Sequence, residues 1–173
     1  MKDILKASLS KGLVTKHLDL STEIEASGAQ LKREISRIFG RSFHIREVDT
    51  GSCGGCESEI IAVNNPIYDI QRFGIDFVAS PRHADALLVT GPLSRNMLLA
   101  LKKTYDAMPS PKFVITLGDC ALDGGCFKDS YYCLGKIGDV LPVNLHIPGC
   151  PPNPGQIIKY LYSFLKNRSS SIS

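Results

Sequence analysis

With 173 residues, of which 43% are hydrophobic and 21% charged, the chain is long enough to bury a core of its own and short enough for one domain. A net charge of +3, with no block of Lys or Arg, argues against nucleic-acid binding. The longest apolar stretches, ADALLVTG and KFVITLGD, fall well short of the roughly 20 residues of a membrane-spanning helix. The opening MKDILKASLSKGLVTKHLDL has neither a continuous apolar centre nor a cleavage site for a signal peptide, so a cytoplasmic location with reduced cysteines is expected.

In chain order, an arm carrying Ile4, Leu5, Leu9 and Leu13 leads into an amphipathic helix over 22–39, capped by Ser21 or Thr22 and stopped by Gly40. Ile24, Leu31, Ile35, Ile38 and Phe39 share its apolar face. Then strand and helix signals alternate. FHIREV reads as a strand, ESEIIAVNN as a short helix ended near Pro66, and IDFVA and ADALLVTG as strands. NMLLALKKTYDAM is a helix closed by PSP, KFVITLG and VNLHI are strands, and GQIIKYLYSFLKN is a closing helix entered through Asn153 and Pro154. This alternation predicts an α/β domain, doubly wound, with a mostly parallel sheet and helices on both faces. Ligands in such sheets bind beyond the carboxyl ends of the strands.

The six cysteines lie at 53, 56, 120, 126, 133 and 150. Three strand-like runs each end in a Gly-rich loop that carries cysteine: TGSCGGCESE after FHIREV, LGDCALDGGC after KFVIT, and HIPGCPPNPG after VNLHI. Four thiols can therefore converge at one edge of the sheet. Structural zinc sites usually staple small units with short ligand pairs, whereas here 64 positions separate Cys56 from Cys120 and 30 separate Cys120 from Cys150. A domain with an ample core has little need of a staple, and a four-iron cluster accepts ligands from scattered loops. The proline after Cys150 resembles ferredoxin-type sites. The residues favour an Fe–S cluster, with zinc and unliganded thiols as the alternatives.

Four motifs, DTGSCGGCESEI, RFGIDFVASPRHADALLVTGPLSR, LGDCALDGGCF and IPGCPPNPGQI, occur in that order across roughly residues 44–165. The chain thereby resembles the small subunit of membrane-bound, energy-converting [NiFe] hydrogenases of the formate hydrogenlyase type, a family related to the terminal-cluster subunit of respiratory complex I. The resemblance implies a flavodoxin-like fold and one [4Fe–4S] cluster on Cys53, Cys56, Cys120 and Cys150. It implies three kinds of partner: a large catalytic subunit, a ferredoxin-like subunit and membrane-embedded subunits, with this chain peripheral on the cytoplasmic face. The complex I branch has adjacent cysteines where this chain has Cys-Gly-Gly-Cys, which favours the hydrogenase side. Soluble uptake hydrogenases have a long C-terminal extension with further ligands, and this chain stops soon after YSFLKNRSSSIS, so one cluster is the expected complement. Nickel–iron centres of this class use two Cys-x-x-Cys pairs; this chain has one, already committed, so it is an electron-relay subunit and not catalytic alone. The expected organisation is a docking arm and helix over 1–40, a cluster-binding α/β domain over 41–168 and a tail over 169–173. The alternatives are the equivalent subunit of a complex I-like quinone- or sulfur-reducing complex, a zinc-stabilised binding module and a free flavodoxin-like carrier.

Gly54 and Gly55 are expected to bend the chain around the cluster and aim N–H groups at its sulfurs. Gly124 and Gly125 either serve Cys120 in the same way or form an ordinary turn. No G-x-G-x-x-G or P-loop ending is present, which argues against a nucleotide site. Cys126 and Cys133 exceed the four ligands needed and are expected to be small buried thiols. Glu57 and Glu59 follow Cys56 at a helix start, where the dipole favours negative charge; a proton path through either is the second reading. Arg82 and His83 suit a surface turn, and His146 a core position.

Overall fold

The computed structural model describes residues 20–170. The first helix, α1 (Leu20–Phe39), presents Ile24, Gly28, Leu31 and Ile35 on one stripe, and Leu31 and Ile35 are buried. Each of these two contributes roughly 2 kcal/mol of burial. The stripe lies on the closing helix α5 (Pro154–Ser170) and on the 3₁₀ turn Ile70–Phe73. Gly28 has a steric reason to be there: a Cβ would fall 2.3 Å from the Phe73 ring. Gly40, with φ +65°, ends the helix in the left-handed conformation, its N–H bonded to Ser36 O. Ser21 and Thr22, expected to cap α1, fall within the helix instead, which already includes Leu20; the arm residues Ile4, Leu5, Leu9 and Leu13 lie outside the described residues, as do 171–173.

Five strands follow: β1 (Phe43–Asp49), β2 (Ile75–Phe77), β3 (Ala86–Thr90), β4 (Phe113–Leu117) and β5 (Leu145–Ile147). They form one sheet in the order β2-β1-β3-β4-β5, and every pairing is parallel. This is the flavodoxin-like order, so the sheet is wholly rather than mostly parallel. Between the strands run α2 (Gly55–Val63), α3 (Leu98–Asp106) and the short α4 (Asp119–Asp123). Alternate residues of each strand feed opposite cores. Phe43, Ile45, Ala86, Leu88, Phe113, Ile115 and Leu117 pack with α1, α2 and α5. Val48, Leu87, Val89 and Val114 pack with Leu101 of α3 and Ala121 of α4. β3 and β4 are buried at every residue, as central strands covered on both faces must be.

At the amino end of the sheet Asp85 ties β1 to β3. Its carboxylate accepts two bonds from Arg41, at 2.9 and 2.7 Å, and one from His44 N at 2.9 Å. The hydrogen bond to Asp85 also holds the Arg41 guanidinium above its ordinary range. The Asp85 side chain is 10% exposed, so Asp85→Ala leaves donors unpaired and costs about 2 kcal/mol. Urea unfolding of that variant is expected to show a lower midpoint with an unchanged slope. Among the described residues no helix is long and apolar enough to cross a membrane.

Candidate functional site

The loops at the carboxyl ends of β1, β3, β4 and β5 meet at the point where the strand order reverses. Between them lies a pocket of about 100 Å³ lined by Cys53, Cys56, Cys120 and Cys150, with Ser52, Gly55, Gly91, Asp119, Gly149 and Pro151. The structure thus brings four of the six cysteines to one cavity, three loops contributing them. Among the described residues, no three His, Cys, Asp or Glu side chains close on a point that would hold a single metal ion. The four thiols surround a space instead. A larger hollow of about 520 Å³ lies at the amino end of β5, lined by Asn144, Leu145, Tyr160, Ser163, Phe164, Asn167 and Arg168, and holds no thiol.

Each loop is fixed by its own hydrogen bonds. Asp49, the last residue of β1, accepts from Gly51 N and Ser52 N, both at 2.7 Å, and so shapes the turn that delivers Cys53. Thr50 donates its hydroxyl to Thr90 O at 2.7 Å, binding this turn to the end of β3. The turn also lies flush against Gly91, where a Cβ would fall 2.4 Å from Ser52 N. Asp119 latches the other two loops together: its N–H donates to Gly149 O at 2.9 Å and its Oδ1 accepts from Gly149 N at 2.8 Å. Cys120 and Cys150 are therefore placed by one reciprocal pair.

Gly54, with φ +86°, caps α2, and Cys56 enters the first helical turn. The Gly54 N–H donates to Ser52 Oγ at 3.1 Å rather than into the pocket, because the turn needs that donor for itself. Gly55 lies along the pocket wall, where a Cβ would sit 3.6 Å from Cys53 Sγ and 3.7 Å from Pro151. Two other glycines crowd the sulfurs more closely. A Cβ on Gly118 would fall 2.6 Å from Cys56 Sγ, and one on Gly125 would fall 2.6 Å from Cys120 Sγ.

Burial pushes the Cys56 thiol up to about 12, with repulsion from Glu57, Cys120, Cys53 and Cys150 adding to it. Burial also raises Cys120, aided by Cys126 and Cys150 and opposed by the N–H of Cys126. Thiols in this setting hold their protons until a cation displaces them, as a metal centre does. Glu57 stands in the first turn of α2, and both its carboxylate oxygens are shielded from water without a hydrogen-bond partner. Behind it Glu47 is raised by burial and then by Glu57 and Asp49. Glu59 is partly exposed on the same helix.

Cys126 is exposed, contrary to the expectation of a buried thiol, because the left-handed Gly124-Gly125 turn carries it outward. Cys133 is half-buried beside Gly124. Arg82 and His83 occupy the 3₁₀ turn Pro81–His83 at the surface. His146 is only half-buried in β5, its Nδ1 2.9 Å from Thr116 Oγ1, and burial lowers its pKa. Sequence reasoning missed Asp49, Gly91, Gly118 and Asp119. The Asp-Thr-Gly-Ser spelling of an Asx turn was a usable signal for the first; the others act across loops.

A family model described as NADH ubiquinone oxidoreductase, 20 Kd subunit, matches residues 53–164, a span that contains all four pocket cysteines. The probable membrane-bound hydrogenase subunit mbhJ of Pyrococcus furiosus is 43% identical, over 72% of this chain and 75% of that protein. Formate hydrogenlyase subunit 7 of Escherichia coli is 41% identical over 82% of this chain and 54% of its own length. Among solved structures, a chain of the membrane-bound sulfane sulfur reductase, an archaeal respiratory membrane complex, superposes with a TM-score of 0.65 at 30% identity, over 79% of this chain and 76% of that one.

Proposed function

The chain belongs to the NADH ubiquinone oxidoreductase 20 Kd subunit family, and from that premise we propose that it holds one [4Fe–4S] cluster on Cys53, Cys56, Cys120 and Cys150. It is a subunit of an oxidoreductase complex of the hydrogenase and complex I-like class, without catalytic chemistry of its own. Its task is electron relay to or from the large catalytic subunit of an energy-converting [NiFe] hydrogenase. The observation that carries this reading is the one pocket into which three hydrogen-bonded loops deliver four thiols.

The residues fit such a group. Four soft sulfur donors suit iron, they surround a space larger than one ion needs, and glycine stands wherever a side chain would displace a sulfur. When bound, a cluster of this kind supplies one-electron transfer at the protein surface. The protein's part is to hold the thiols in place through the Asp49 and Asp119 hydrogen bonds and to keep the inner wall of the pocket apolar. Glu57, shielded and unpaired beside Cys56, is the better placed of the two glutamates for a proton path; Glu59 is the outer one.

The large subunit would cover the pocket, because Leu122, Tyr131 and Leu134 are exposed on the segment that follows β4 at this end of the sheet. A ferredoxin-like subunit and membrane-embedded subunits would complete the assembly, with this chain peripheral on its cytoplasmic face. Within the proposed arm 1–40, α1 spends its apolar stripe on its own domain, which leaves the residues before it for docking. A second reading, the equivalent subunit of a sulfur- or quinone-reducing complex, is favoured by the likeness to the sulfane sulfur reductase chain.

Protein purified without oxygen is expected to be brown, with broad visible absorption bleached by dithionite, and to contain iron and sulfide equivalent to one cluster per chain. A colourless protein holding zinc would overturn the cluster. Copurification with a quinone reductase in place of a hydrogenase large subunit would move the chain to the second reading.

A further inference from the structure

Cys126 is left over by the relay, yet it is neither buried nor remote. Asp119–Asp123 is followed by Gly124 at φ +91° and Gly125 at φ +51°, which reverse the chain onto itself. Asp123 Oδ1 fixes the reversal by accepting from Gly125 N at 2.8 Å, and Gly124 N donates to Cys120 O at 2.9 Å. The result is that Cys120 Sγ rests against Gly125, where a Cβ would fall 2.6 Å from it, one residue before Cys126. The Cys126 side chain itself faces solvent, free of the core.

We propose that Cys120 and Cys126 form a reversible disulfide whenever the pocket is empty, an oxidant-operated lock on the site. The proposal rests on the reading of Cys120 as a cluster ligand. A disulfide requires Cβ atoms about 3.5–4.5 Å apart. A sulfur packed against the residue that precedes its partner is close to that, and a turn built on two glycines can supply the remaining movement.

The chemistry balances with a peroxide as oxidant. The exposed Cys126 thiol is oxidised to the sulfenic acid, and one water leaves. The Cys120 sulfur then attacks the Cys126 sulfur, the S–O bond breaks, and a second water leaves. Two thiols lose two electrons and two protons, and the peroxide becomes two waters. A dithiol reductant reverses the bond and returns Cys120 to the pocket. The lock thus spares the ligand from irreversible oxidation while no iron protects it. Cys133 is the rival partner, since its Sγ lies 3.3 Å from the Cβ position of Gly124.

Tryptic mapping separates the pairings, because residues 113–128 contain Cys120 and Cys126 alone and residues 129–136 contain Cys133. Full-length chain, stripped of metal without oxygen, would be treated with one equivalent of hydrogen peroxide, alkylated and digested. The expected result is a 113–128 peptide lighter by two hydrogens, unalkylated, and restored by dithiothreitol. Cross-linking of 113–128 to 129–136, alkylation of both its cysteines, or a sulfinic acid at Cys126 would each overturn the proposal. Iron-loaded chain, treated alike, is expected to be protected. A disulfide forming just as fast with the iron retained would remove Cys120 from the ligand set and would overturn the lock on the pocket, leaving only a redox-active turn.

Discussion

Serine at any one of positions 53, 56, 120 or 150 is expected to lower the iron content of anaerobically purified protein by about an order of magnitude or more, at least the loss that perturbing a neighbour of a ligand brings. A hard oxygen donor is a poor replacement for a soft thiolate on iron. The fold should survive, since Cys53 and Cys150 are exposed and Cys56 and Cys120 are only half-buried. Circular dichroism and the urea midpoint therefore serve as controls. Cys126→Ser and Cys133→Ser are expected to keep their iron, because neither thiol lines the pocket. Normal iron and an unchanged EPR signal in Cys120→Ser, with loss in Cys126→Ser, would reverse the assignment of that ligand.

A change with no ligand chemistry at all is expected to be nearly as damaging. Gly118 has φ +84° and ψ 155°, a region open essentially to glycine alone. In Gly118→Ala the new methyl would also stand 2.6 Å from Cys56 Sγ and 3.3 Å from Gly149 O. Backbone strain and overlap together cost about 3 kcal/mol, and relief requires moving either the Cys56 sulfur or the Cys150 loop. Gly40→Ala is the matched control: φ is +65° but nothing lies within 4 Å of the added carbon. It should lose about 1 kcal/mol of stability and no iron. Equal iron in both variants would show that the pocket tolerates displacement of Cys56.

Much of this arrangement was legible in the sequence. The runs ALLVT and FVITL are apolar without alternation, which is what strands covered on both faces require, and they became β3 and β4. From strands placed in that way the three cysteine loops had to share the carboxyl edge. The limits of the short elements were less readable. IDFVA and VNLHI contribute only three residues each to the sheet, because β2 and β5 are its edges and their ends are unpaired. DCALD is too short to show helical periodicity, so α4 was missed. α2 begins at Gly55, before the expected Glu57, since the anchored turn overrides the poor helix propensity of glycine. The Asp119 latch joins residues 30 positions apart, and no local pattern encodes such a contact. Exposure of Cys126 depends on two positive φ angles that a Gly-Gly pair permits but does not dictate.

The full burial of β3 and β4 bears on how the protein keeps its shape while the pocket is empty. Amides of Leu87–Thr90 and Val114–Leu117, each in a strand paired on both sides, belong to the part of the molecule that opens only with global unfolding, and in deuterium they should be the last to exchange. The loops that carry cysteine grow directly from that slow-exchanging centre and from the strands flanking it. Filling or emptying the pocket should then leave exchange in the centre unchanged while altering it in residues 51–56, 118–126 and 148–152. A scaffold that keeps its shape through such a cycle can receive a preassembled cluster by ligand exchange, without a folding event on each delivery.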